Sequence, residues 1–545
     1  MKSLKFLLPF VLLSVVVACT DGGPETPEPP ENPKGPTGLT DEVYFEPVGD
    51  VESIGLIEHY ELLIEQATEN NAEENATFIE YLKKELDAAE EYQEECINQS
   101  GANWDTGADG DAGKNKLLGY QYVTIRYKSI DHKGNPAMLS TLVVWPYNTI
   151  FSNPDPNNVI IGCHVTYGSN AERPSNYGKN SIMTDVGMLA CCAKSNGIGS
   201  EYENLVIIPD YQGFGATHGE VHPYLSQDIT ARQVLDGVRA GIAYYTQNSG
   251  KLEKDWKSVS TGYSQGGSVA MAVHRYIENN NLTEFNFAGS VCGSGPYDPV
   301  ATLKRYISDD RVYMPVSAAM MIYSMCNTSP RLMDKYKSED YLTEKFIKTD
   351  VIKLIQGKTL DTDAMQNELL EYSGKYKTTD KETLTMYRLA TGNKGFKLYG
   401  EDTKNKYQWE SGYIRTAYVK TSDILRPEVI EWFKGHKTDS NNEKCEALNA
   451  ALNDNVLYND WEPNHPIFLF HTEEDEVVVS ENYKNCLNAW EGSDMVKGAI
   501  YKGSTYTHVS YGKYFFMYHC GEGIKAILDG KTGDYGFDRI VNGIM

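Results

Sequence analysis

The sequence predicts an α/β fold: a mostly parallel sheet with helices on both faces and a helical cap inserted between two strands. Short apolar runs that are typical of buried strands recur along the 545 residues. One run joins a helix-like segment through a glycine-rich turn, and a long, mainly helical stretch separates the last two runs. The strand-like runs occupy residues 159–164, 259–261, 287–292 and 466–471.

The glycine-rich turn is Gly-Tyr-Ser-Gln-Gly-Gly at residues 262–267. It lies between a strand-like run and a good helix opening, and strand, Gly-x-Ser-x-Gly, helix is the context of a nucleophile elbow. The turn is tight and strains the backbone of its nucleophile, so side chains at Gly262 and Gly266 would clash. The pattern predicts that Ser264 is a nucleophile. The alternative is a glycine-rich turn that happens to contain a serine.

An acidic turn, Thr-Glu-Glu-Asp-Glu at residues 472–476, follows the last strand-like run. An acid directly after a late strand is where this architecture holds the carboxylate that orients a catalytic histidine. Asp475 is the predicted acid, because it has the Asp place of a His-Gly-x-x-Asp-x-Val-Val-like turn, although Thr472 replaces the Gly. The other candidates are Glu473, Glu474 and Glu476, and a solvated acidic turn is the alternative.

The predicted base is His508, in a loop before a final helix at residues 511–528. It lies downstream of the acid, and Ser, Asp, His is the chain order of α/β-hydrolases but not of the chymotrypsin or subtilisin folds. His519 is the nearest rival, but it falls inside that helix, where a structural role is expected. His471 ends a strand, where hydrogen bonding within the following turn is expected.

The chemistry of an attacking serine needs all of these groups. A base must take the serine proton during attack, and histidine can accept and return it near neutral pH. Two backbone N–H groups must also face the developing oxyanion. One is expected from Gln265. The other is expected from Thr166 or Tyr167, in the loop after the run 159–164, where an ordinary connection is the alternative.

Several segments together resemble one known family. Besides the elbow, Ile-Pro-Asp-Tyr-Gln-Gly-Phe-Gly at residues 208–215 is similar to a Pro-Asp-Tyr-x-Gly-x-Gly segment, and residues 222–225 and 236–240 also fit. In these segments the chain resembles the secretory-lipase-type α/β-hydrolases. It looks like a bacterial lipoprotein relative of that family. The resemblance covers about residues 115–297 and 463–545. It implies the α/β-hydrolase fold and hydrolysis of carboxylic esters.

The predicted organisation has six segments. Residues 1–18 are expected to be a signal peptide, 19–39 a lipidated tether, and 40–112 an N-terminal helical extension with helix-like stretches at 54–67 and 76–97. The hydrolase core is predicted at 113–297 and 463–545, and the helical cap at 298–462. An apolar stretch of the cap, residues 315–323, either lines a substrate pocket or fills the cap's own core.

The first residues have the pattern of a targeting signal. Lys2 and Lys5 precede an apolar run at 6–17 that is shorter than the ~20 residues of a transmembrane helix. Val-Val-Ala then precedes Cys19, as in a bacterial lipobox, and residues 20–37 have the Pro, Glu and Gly of a solvated linker. We expect lipidation of Cys19 and an exported lipoprotein at the outer membrane or cell surface. An ordinary secretory signal is the alternative.

Charge and cysteine usage argue against several classes of function. The formal net charge of −26 disfavours nucleic acid or an anionic membrane surface as a partner. The expected partner is a small-molecule, lipid or glycan ester, and the expected membrane contact is only through the anchor on Cys19. The ten cysteines include no Cys-x-x-Cys, and neither a metal nor another cofactor is expected.

Three classes of function are consistent with these patterns. The first is an esterase or lipase that works through an acyl-Ser264 intermediate. The second is a serine peptidase of the prolyl- or aminopeptidase kind, because the same fold and triad serve both reactions. The third is a surface binding lipoprotein with a decayed site, which is disfavoured because all three candidate catalytic positions hold suitable residues.

Replacement of the anchor residue tests the expected lipidation. Cys19→Ala removes the thiol that would carry the lipid, so it should release the protein from membranes or block its maturation. Partitioning of the protein between detergent and aqueous phases measures this, with Cys96→Ala as the matched control. A detergent-phase fraction that Cys19→Ala leaves unchanged would contradict the expectation.

Overall fold

A nine-stranded sheet organises the residues that the computed structural model describes, which are 43–71, 75–100, 117–151, 155–178, 183–194, 203–362, 364–365, 419–439, 442–502 and 507–542. The predicted signal peptide 1–18 and the whole predicted tether 19–39, with Cys19, lie outside these residues. The strands are β1 (Phe45–Gly55), β2 (Leu118–Ile130), β3 (Pro136–Asn148), β4 (Asn158–Cys163), β5 (Asn204–Pro209), β6 (Ser258–Tyr263), β7 (Phe287–Gly293), β8 (Ile467–Thr472) and β9 (Val496–Tyr501).

The sheet is antiparallel at one edge and parallel over the rest. Its strand order is β1-β2-β3-β5-β4-β6-β7-β8-β9. β1, β2 and β3 pair antiparallel, and β3 is antiparallel to β5. The strands from β5 through β9 in this order are parallel to their neighbours. Six strands therefore end at one edge, which is where open α/β sheets carry their sites.

Helices connect and flank the strands. They are α1 (Leu56–Asn71), α2 (Ala76–Ser100), α3 (Thr184–Cys191), α4 (Gln227–Asn248), α5 (Gln265–Asn279), α6 (Pro299–Asp309), α7 (Pro315–Thr328), α8 (Glu344–Ile347), α9 (Val351–Gly357), α10 (Thr421–Ile424), α11 (Pro427–Phe433), α12 (Asn442–Asn453), α13 (Glu481–Ala489), α14 (His508–Tyr514), α15 (Gly521–Leu528) and α16 (Asp534–Asn542). None of the described helices has the length and apolar character that crossing a membrane requires.

Two hydrophobic clusters cover the two faces of the sheet. Successive side chains of a strand point to opposite faces, and in β5 Val206 and Ile208 join one cluster while Leu205 and Ile207 join the other. Helices α1, α3 and α15 contribute to the first cluster, and α4 and α5 to the second. The predicted arrangement of a mostly parallel sheet with helices on both faces is confirmed.

The N-terminal region contains a strand that the sequence analysis missed. Helices α1 and α2 lie close to the predicted stretches, but the expectation of a wholly helical extension is corrected by β1. β1 lies at the edge of the sheet with most of its side chains exposed, so it lacks the apolar alternation that predicts strands. Its approach to β2 requires Gly119, where a Cβ would collide with the carbonyl oxygen of Ile54.

Helices α6 to α12 lie between β7 and β8 in the chain and enclose a hydrophobic cluster of their own. Helix α7 carries the apolar stretch 315–323, and its Val316, Ala319 and Ile322 are buried in that cluster. This supports the expectation of a helical cap between two core strands, whose boundaries stay a prediction. Residues 366–418 of the region are outside the described residues.

The C-terminal region differs from the predicted single helix. Helix α14 begins at His508, a π-helical turn follows at Phe515–Cys520, and α15 and α16 complete the chain's described end. His508 is therefore the first residue of a helix and not part of a loop. The Thr507 side chain caps this helix by accepting from the N–H of Ser510. Because of this cap, the helix begins at His508, three residues before the predicted start at residue 511.

Candidate active site

The turn between β6 and α5 is strained at Ser264. β6 ends at Tyr263 and α5 begins at Gln265, so one residue makes the change of direction. Its φ of 55° and ψ of −125° lie where non-glycine residues are rare. The Ser264 N–H donates to the carbonyl oxygen of Gly293 in β7 at 2.9 Å. This is the backbone geometry of a nucleophile elbow.

The two outer glycines of the motif pack directly on the end of β4. A Cβ at either Gly262 or Gly266 would collide with the carbonyl oxygen of Cys163. A Cβ at Gly262 would also lie 2.6 Å from the carbonyl carbon of Gly266. The elbow and the end of β4 are therefore held in one fixed relation, which leaves no space for side chains between them.

Ser264, His508 and Asp475 form one row of hydrogen bonds. His508 Nε2 lies 2.9 Å from Ser264 Oγ, and His508 Nδ1 lies 2.8 Å from Asp475 Oδ2. With Nδ1–H donating to the carboxylate, Nε2 is free to accept the hydroxyl proton. Asp475 Oδ1 accepts from the N–H groups of Val477 and Val478 at 3.1 and 2.7 Å, which fixes the carboxylate in its turn.

The neighbours of Asp475 differ from it in exposure and contacts. Glu473 and Glu474 are exposed, whereas Asp475 is buried. Glu476 is half-buried, and its Oε2 accepts the backbone N–H of His508 at 2.9 Å. The sequence analysis missed this contact, since no local pattern relates Glu476 to an N–H group in a later helix.

The three titratable groups shift one another. Burial acts to raise the pKa of Asp475, but the charge and hydrogen bond of His508 outweigh it and hold that pKa below its ordinary value. Burial acts to lower the pKa of His508, but the charge and hydrogen bond of Asp475 and the charge of Glu476 raise it above 6.5. Burial, with the charge of Asp475, raises the pKa of Glu476 to about 7.

The two rival histidines have other surroundings. His471 Nε2 lies 3.0 Å from the carbonyl oxygen of Val478, so its Nε2–H donates within the turn after β8, as expected. The ring of His519 is stacked on Phe470 with centroids 4.3 Å apart, and neither of its nitrogens has a hydrogen-bond partner in the described part of the chain. Burial lowers the pKa of His519 to about 3, so this ring is neutral.

The loop after β4, residues 164–169 (the β4 loop), has two N–H groups to spare. No described residue accepts a hydrogen bond from the N–H of Thr166 or Tyr167. The N–H of Gln265, at the first position of α5, also has no acceptor within its helix. The β4 loop starts beside the elbow, because a Cβ at Gly266 would lie 2.8 Å from the carbonyl oxygen of His164. All three residues predicted for the oxyanion hole are thus in this part of the structure.

A cavity of about 190 Å³ adjoins the β4 loop. Its lining includes core residues and residues of the predicted cap, among them Tyr167, His222, Tyr224, Met320, Tyr323 and Lys358. The side-chain amide of Gln265 donates to Nε2 of His222, one of the lining residues, at 2.9 Å, so the residue after Ser264 contacts the wall of the cavity. The stretch 315–323 therefore does both of the things expected of it, since it fills the cap's core and lines a cavity.

One group of potential metal ligands lies elsewhere, at the far end of α5. His274, Glu278 and His465 have ligand atoms within 4.8 Å of one another. Both histidines hydrogen bond to Glu278, at 2.9 and 2.6 Å, and the N–H groups of Asn464 and His465 donate to the same carboxylate at 3.0 Å. These bonds account for the cluster as a link between α5 and the segment before β8. The absence of a metal stays a prediction.

A family match agrees with the resemblance seen in the sequence. The secretory lipase family model matches residues 201–385, which include β6, Ser264 and α5. Over these residues the chain is similar to the secretory lipases. The match continues into the predicted cap, beyond the resemblance stated above. It supports an ester hydrolase, and the family description suggests export.

Solved structures share the fold. The rice cell wall degrading esterase LipA from Xanthomonas oryzae is 20% identical at a TM-score of 0.54, over 76% of this chain and 91% of that one. A protein from Legionella pneumophila assigned as a hydrolase is 17% identical at a TM-score of 0.54, again over 76% and 91%. These likenesses confirm the α/β-hydrolase fold. No curated protein matches the chain.

Proposed function

We propose that the chain is a serine hydrolase that cleaves carboxylic esters through an acyl-Ser264 intermediate. The observation that carries the proposal is the row of hydrogen bonds from Ser264 Oγ through His508 to Asp475, at 2.9 and 2.8 Å, on a strained strand-to-helix turn. A hydroxyl so placed has both a base within reach and a carboxylate that orients the base. The family match makes an ester the favoured substrate.

The first half of the reaction transfers the acyl group. Ser264 Oγ attacks the ester carbonyl carbon while His508 Nε2 takes the hydroxyl proton, and the carbonyl oxygen becomes an oxyanion. The N–H of Gln265, with that of Thr166 or Tyr167, would stabilise this charge. As the carbon–oxygen bond of the ester breaks, His508 returns the proton to the leaving alkoxide. The products of this half are a free alcohol and acyl-Ser264.

The second half releases the acid. Water attacks the acyl carbon while His508 Nε2 accepts its proton, and the same N–H groups receive the second oxyanion. When the bond to Ser264 Oγ breaks, His508 gives the proton to the serine. Asp475 stays ionised throughout and stabilises the imidazolium that forms twice per cycle. The net reaction is ester plus water to acid plus alcohol.

The cavity next to Gln265 is the proposed place for part of the substrate. Its lining combines apolar and aromatic side chains with polar ones such as His222 and Lys358, which suits the carbon portion and a polar group of a small-molecule, lipid or glycan ester. We further propose that the enzyme is exported and held at a membrane only by a lipid on Cys19, through the tether 19–39.

Substitutions in the triad test the proposed roles. Ser264→Ala and His508→Ala should each lower kcat by about 10⁴- to 10⁶-fold, and the double variant should be little worse, because triad members act as a unit. Asp475→Asn should cost roughly 10⁴-fold through the wrong tautomer. Steady-state kinetics on an activated ester measure this, with the exposed Glu473→Gln as control. Labelling by a fluorophosphonate that survives Ser264→Ala would exclude Ser264 as the nucleophile.

A substrate panel separates an esterase from a peptidase. We expect turnover of p-nitrophenyl esters across several acyl lengths and little or none of aminoacyl p-nitroanilides, since the family match favours esters. Initial rates at equal substrate concentration give the comparison, and Ser264→Ala provides the blank for each substrate. If the anilides were hydrolysed faster than every ester, the enzyme would be a serine peptidase on the same fold.

The pH profile reports the charges around His508. His508 must be neutral to accept a proton, so kcat/KM should fall as the pH drops through its raised pKa, which lies above 6.5. Glu476→Gln removes one of the negative charges that raise this pKa, and the acidic limb should therefore move to lower pH. Because Glu476 itself titrates near 7, the wild-type limb belongs to the pair of groups. An acidic limb that is identical in Glu476→Gln and in the control Glu473→Gln would contradict this account.

A further inference from the structure

Two buried carboxylates lie against the β4 loop, one at each end of its central pair of residues. Neither belongs to the Ser264–His508–Asp475 row. In the described part of the chain, neither forms an ion pair with a lysine or arginine, and each is bonded to N–H or O–H groups instead. The two residues are Asp185, in the first turn of α3, and Glu172, in a 3₁₀ turn at Asn170–Glu172.

Asp185 holds the start of the loop. Its Oδ2 accepts the backbone N–H of Val165 at 3.0 Å. The phenol of Tyr167 donates to the same carboxylate, with oxygen-to-oxygen distances of 2.8 and 2.9 Å. One buried side chain therefore anchors the backbone before Thr166 and the side chain after it, which restricts how the peptide between them can turn.

Glu172 holds the end of the loop. Its Oε2 accepts the N–H groups of both Gly168 and Ser169, at 2.9 and 2.7 Å. The Ser169 hydroxyl in turn accepts the N–H of Ala171, which completes a capping box on the 3₁₀ turn. A capping box alone would need only the bond to Ser169. The additional bond to Gly168 extends the hold of Glu172 to the residue next to Tyr167.

The base of the loop is also fixed by ring packing. The imidazole of His164 is stacked between Tyr167 and Tyr211, with centroid distances of 4.3 and 3.8 Å. The Tyr211 phenol donates to the His164 carbonyl oxygen at 3.1 Å. With the side chains fixed on this side and the outer N–H groups bonded to carboxylates, the N–H groups of Thr166 and Tyr167 are the ones left without an acceptor.

We propose that Asp185 and Glu172 are positioning residues for the oxyanion hole: by taking the flanking N–H groups of the β4 loop, they hold the N–H of Thr166 or Tyr167 towards the reacting carbonyl. This inference rests on the proposed function. The inference deepens the proposed function, because it names two acids that do not touch the substrate as the groups that orient the second oxyanion donor. Burial of a carboxylate without a cation is costly: it raises the pKa of Glu172 to about 7 and that of Asp185 above its ordinary value, and the bonds to the loop offset part of that cost.

Alanine and amide variants of the two acids test the proposal. Glu172→Ala and Asp185→Ala should each lower kcat by roughly 10- to 100-fold, less than the 10²–10³ for a deleted oxyanion donor, because the donor is displaced and not removed. KM should change little. Glu172→Gln keeps an oxygen that can accept both N–H groups, so it should restore kcat to within about threefold of the wild type, by the acceptor chemistry of the amide. Rates are expressed per Ser264 titrated with a fluorophosphonate, which removes the effect of unfolded protein.

A matched control and a transition-state mimic separate positioning from stability. Glu278 also accepts backbone N–H groups, from Asn464 and His465, but it lies roughly 20 Å from Ser264 along α5 at ~1.5 Å per residue. Glu278→Ala should lower the melting temperature and leave kcat per titrated site within about twofold, as expected for a group remote from the reaction. A trifluoromethyl ketone, to which Ser264 Oγ adds to give a hemiketal oxyanion, should lose affinity in Glu172→Ala in proportion to kcat.

The wild type supplies a test that needs no variant. When a fluorophosphonate has reacted with Ser264, a phosphonyl oxygen takes the place of the oxyanion. Amide hydrogen exchange should then slow at Thr166 or Tyr167, while Val165, Gly168 and Ser169 should exchange slowly both before and after labelling. Unchanged exchange at Thr166 and Tyr167, or an unchanged kcat in folded Glu172→Ala and Asp185→Ala, would overturn the inference. Failure of the proposed function itself would look different, since ester turnover would then survive Ser264→Ala.

Discussion

Close packing of the β6–α5 turn on the end of β4 is the constraint on which the rest of the site depends. Gly262 and Gly266 both approach the Cys163 carbonyl so closely that neither position tolerates a Cβ. The strained backbone of Ser264, which costs on the order of 1–3 kcal/mol in such a conformation, persists only because its surroundings determine it. β6 lies between two parallel neighbours, and the first thirteen residues of α5 are buried. The elbow is thus part of the rigid centre of the sheet.

The close packing of these two strand ends links the candidate nucleophile to the second candidate oxyanion donor, although the two come from different segments of the chain. The candidate nucleophile follows β6, and the second candidate oxyanion donor follows β4, the strand beside it. Because the two strand ends touch, a shift of the β4 loop is a shift relative to Ser264. The acid and the base come from further along the same edge of the sheet, after β8 and β9. Parallel strands bring all of these ends to one side, whatever the length of chain between them.

The insertion between β7 and β8 shows that a long connection between two strands leaves their pairing intact. The pair is parallel and in register from Ser290 with Ile467 to Gly293 with Phe470, although the helices α6 to α12 intervene. A long excursion between two neighbouring parallel strands costs little additional loop entropy, which grows only slowly with length. It also begins at the edge where the candidate site lies. The cavity lined by Tyr167 and Met320 is the result of that placement.

The parts of the site with local patterns could be predicted from the sequence. The elbow around Ser264 has a motif, and Asp475 and His508 follow strand-like and turn-like segments in a known order. The edge strand β1 could not be predicted, because its exposed side chains give no apolar alternation. Glu172 had a weak signal, the Ser-x-x-Glu spacing with Ser169, but Asp185 and Glu476 had none, since their partners are N–H groups brought close only by the tertiary fold.

Under the proposed mechanism, an acidic chain must stabilise an anionic transition state. Asp185 and Glu172 lie against the β4 loop, and Asp475 and Glu476 lie beside His508. Negative charge on these groups would oppose an oxyanion, although burial raises the pKa of Glu172 and of Glu476 to about 7. Each of these four acids, however, accepts a hydrogen bond from at least one backbone N–H, and that bond stabilises the negative charge of its carboxylate. The one imidazole in the row, His508, gains from the two acids nearest to it, which raise its pKa. In the proposed mechanism, the oxyanion would meet the N–H groups that these carboxylates leave without an acceptor, so the acceptors of the β4 loop would matter as much as its donors.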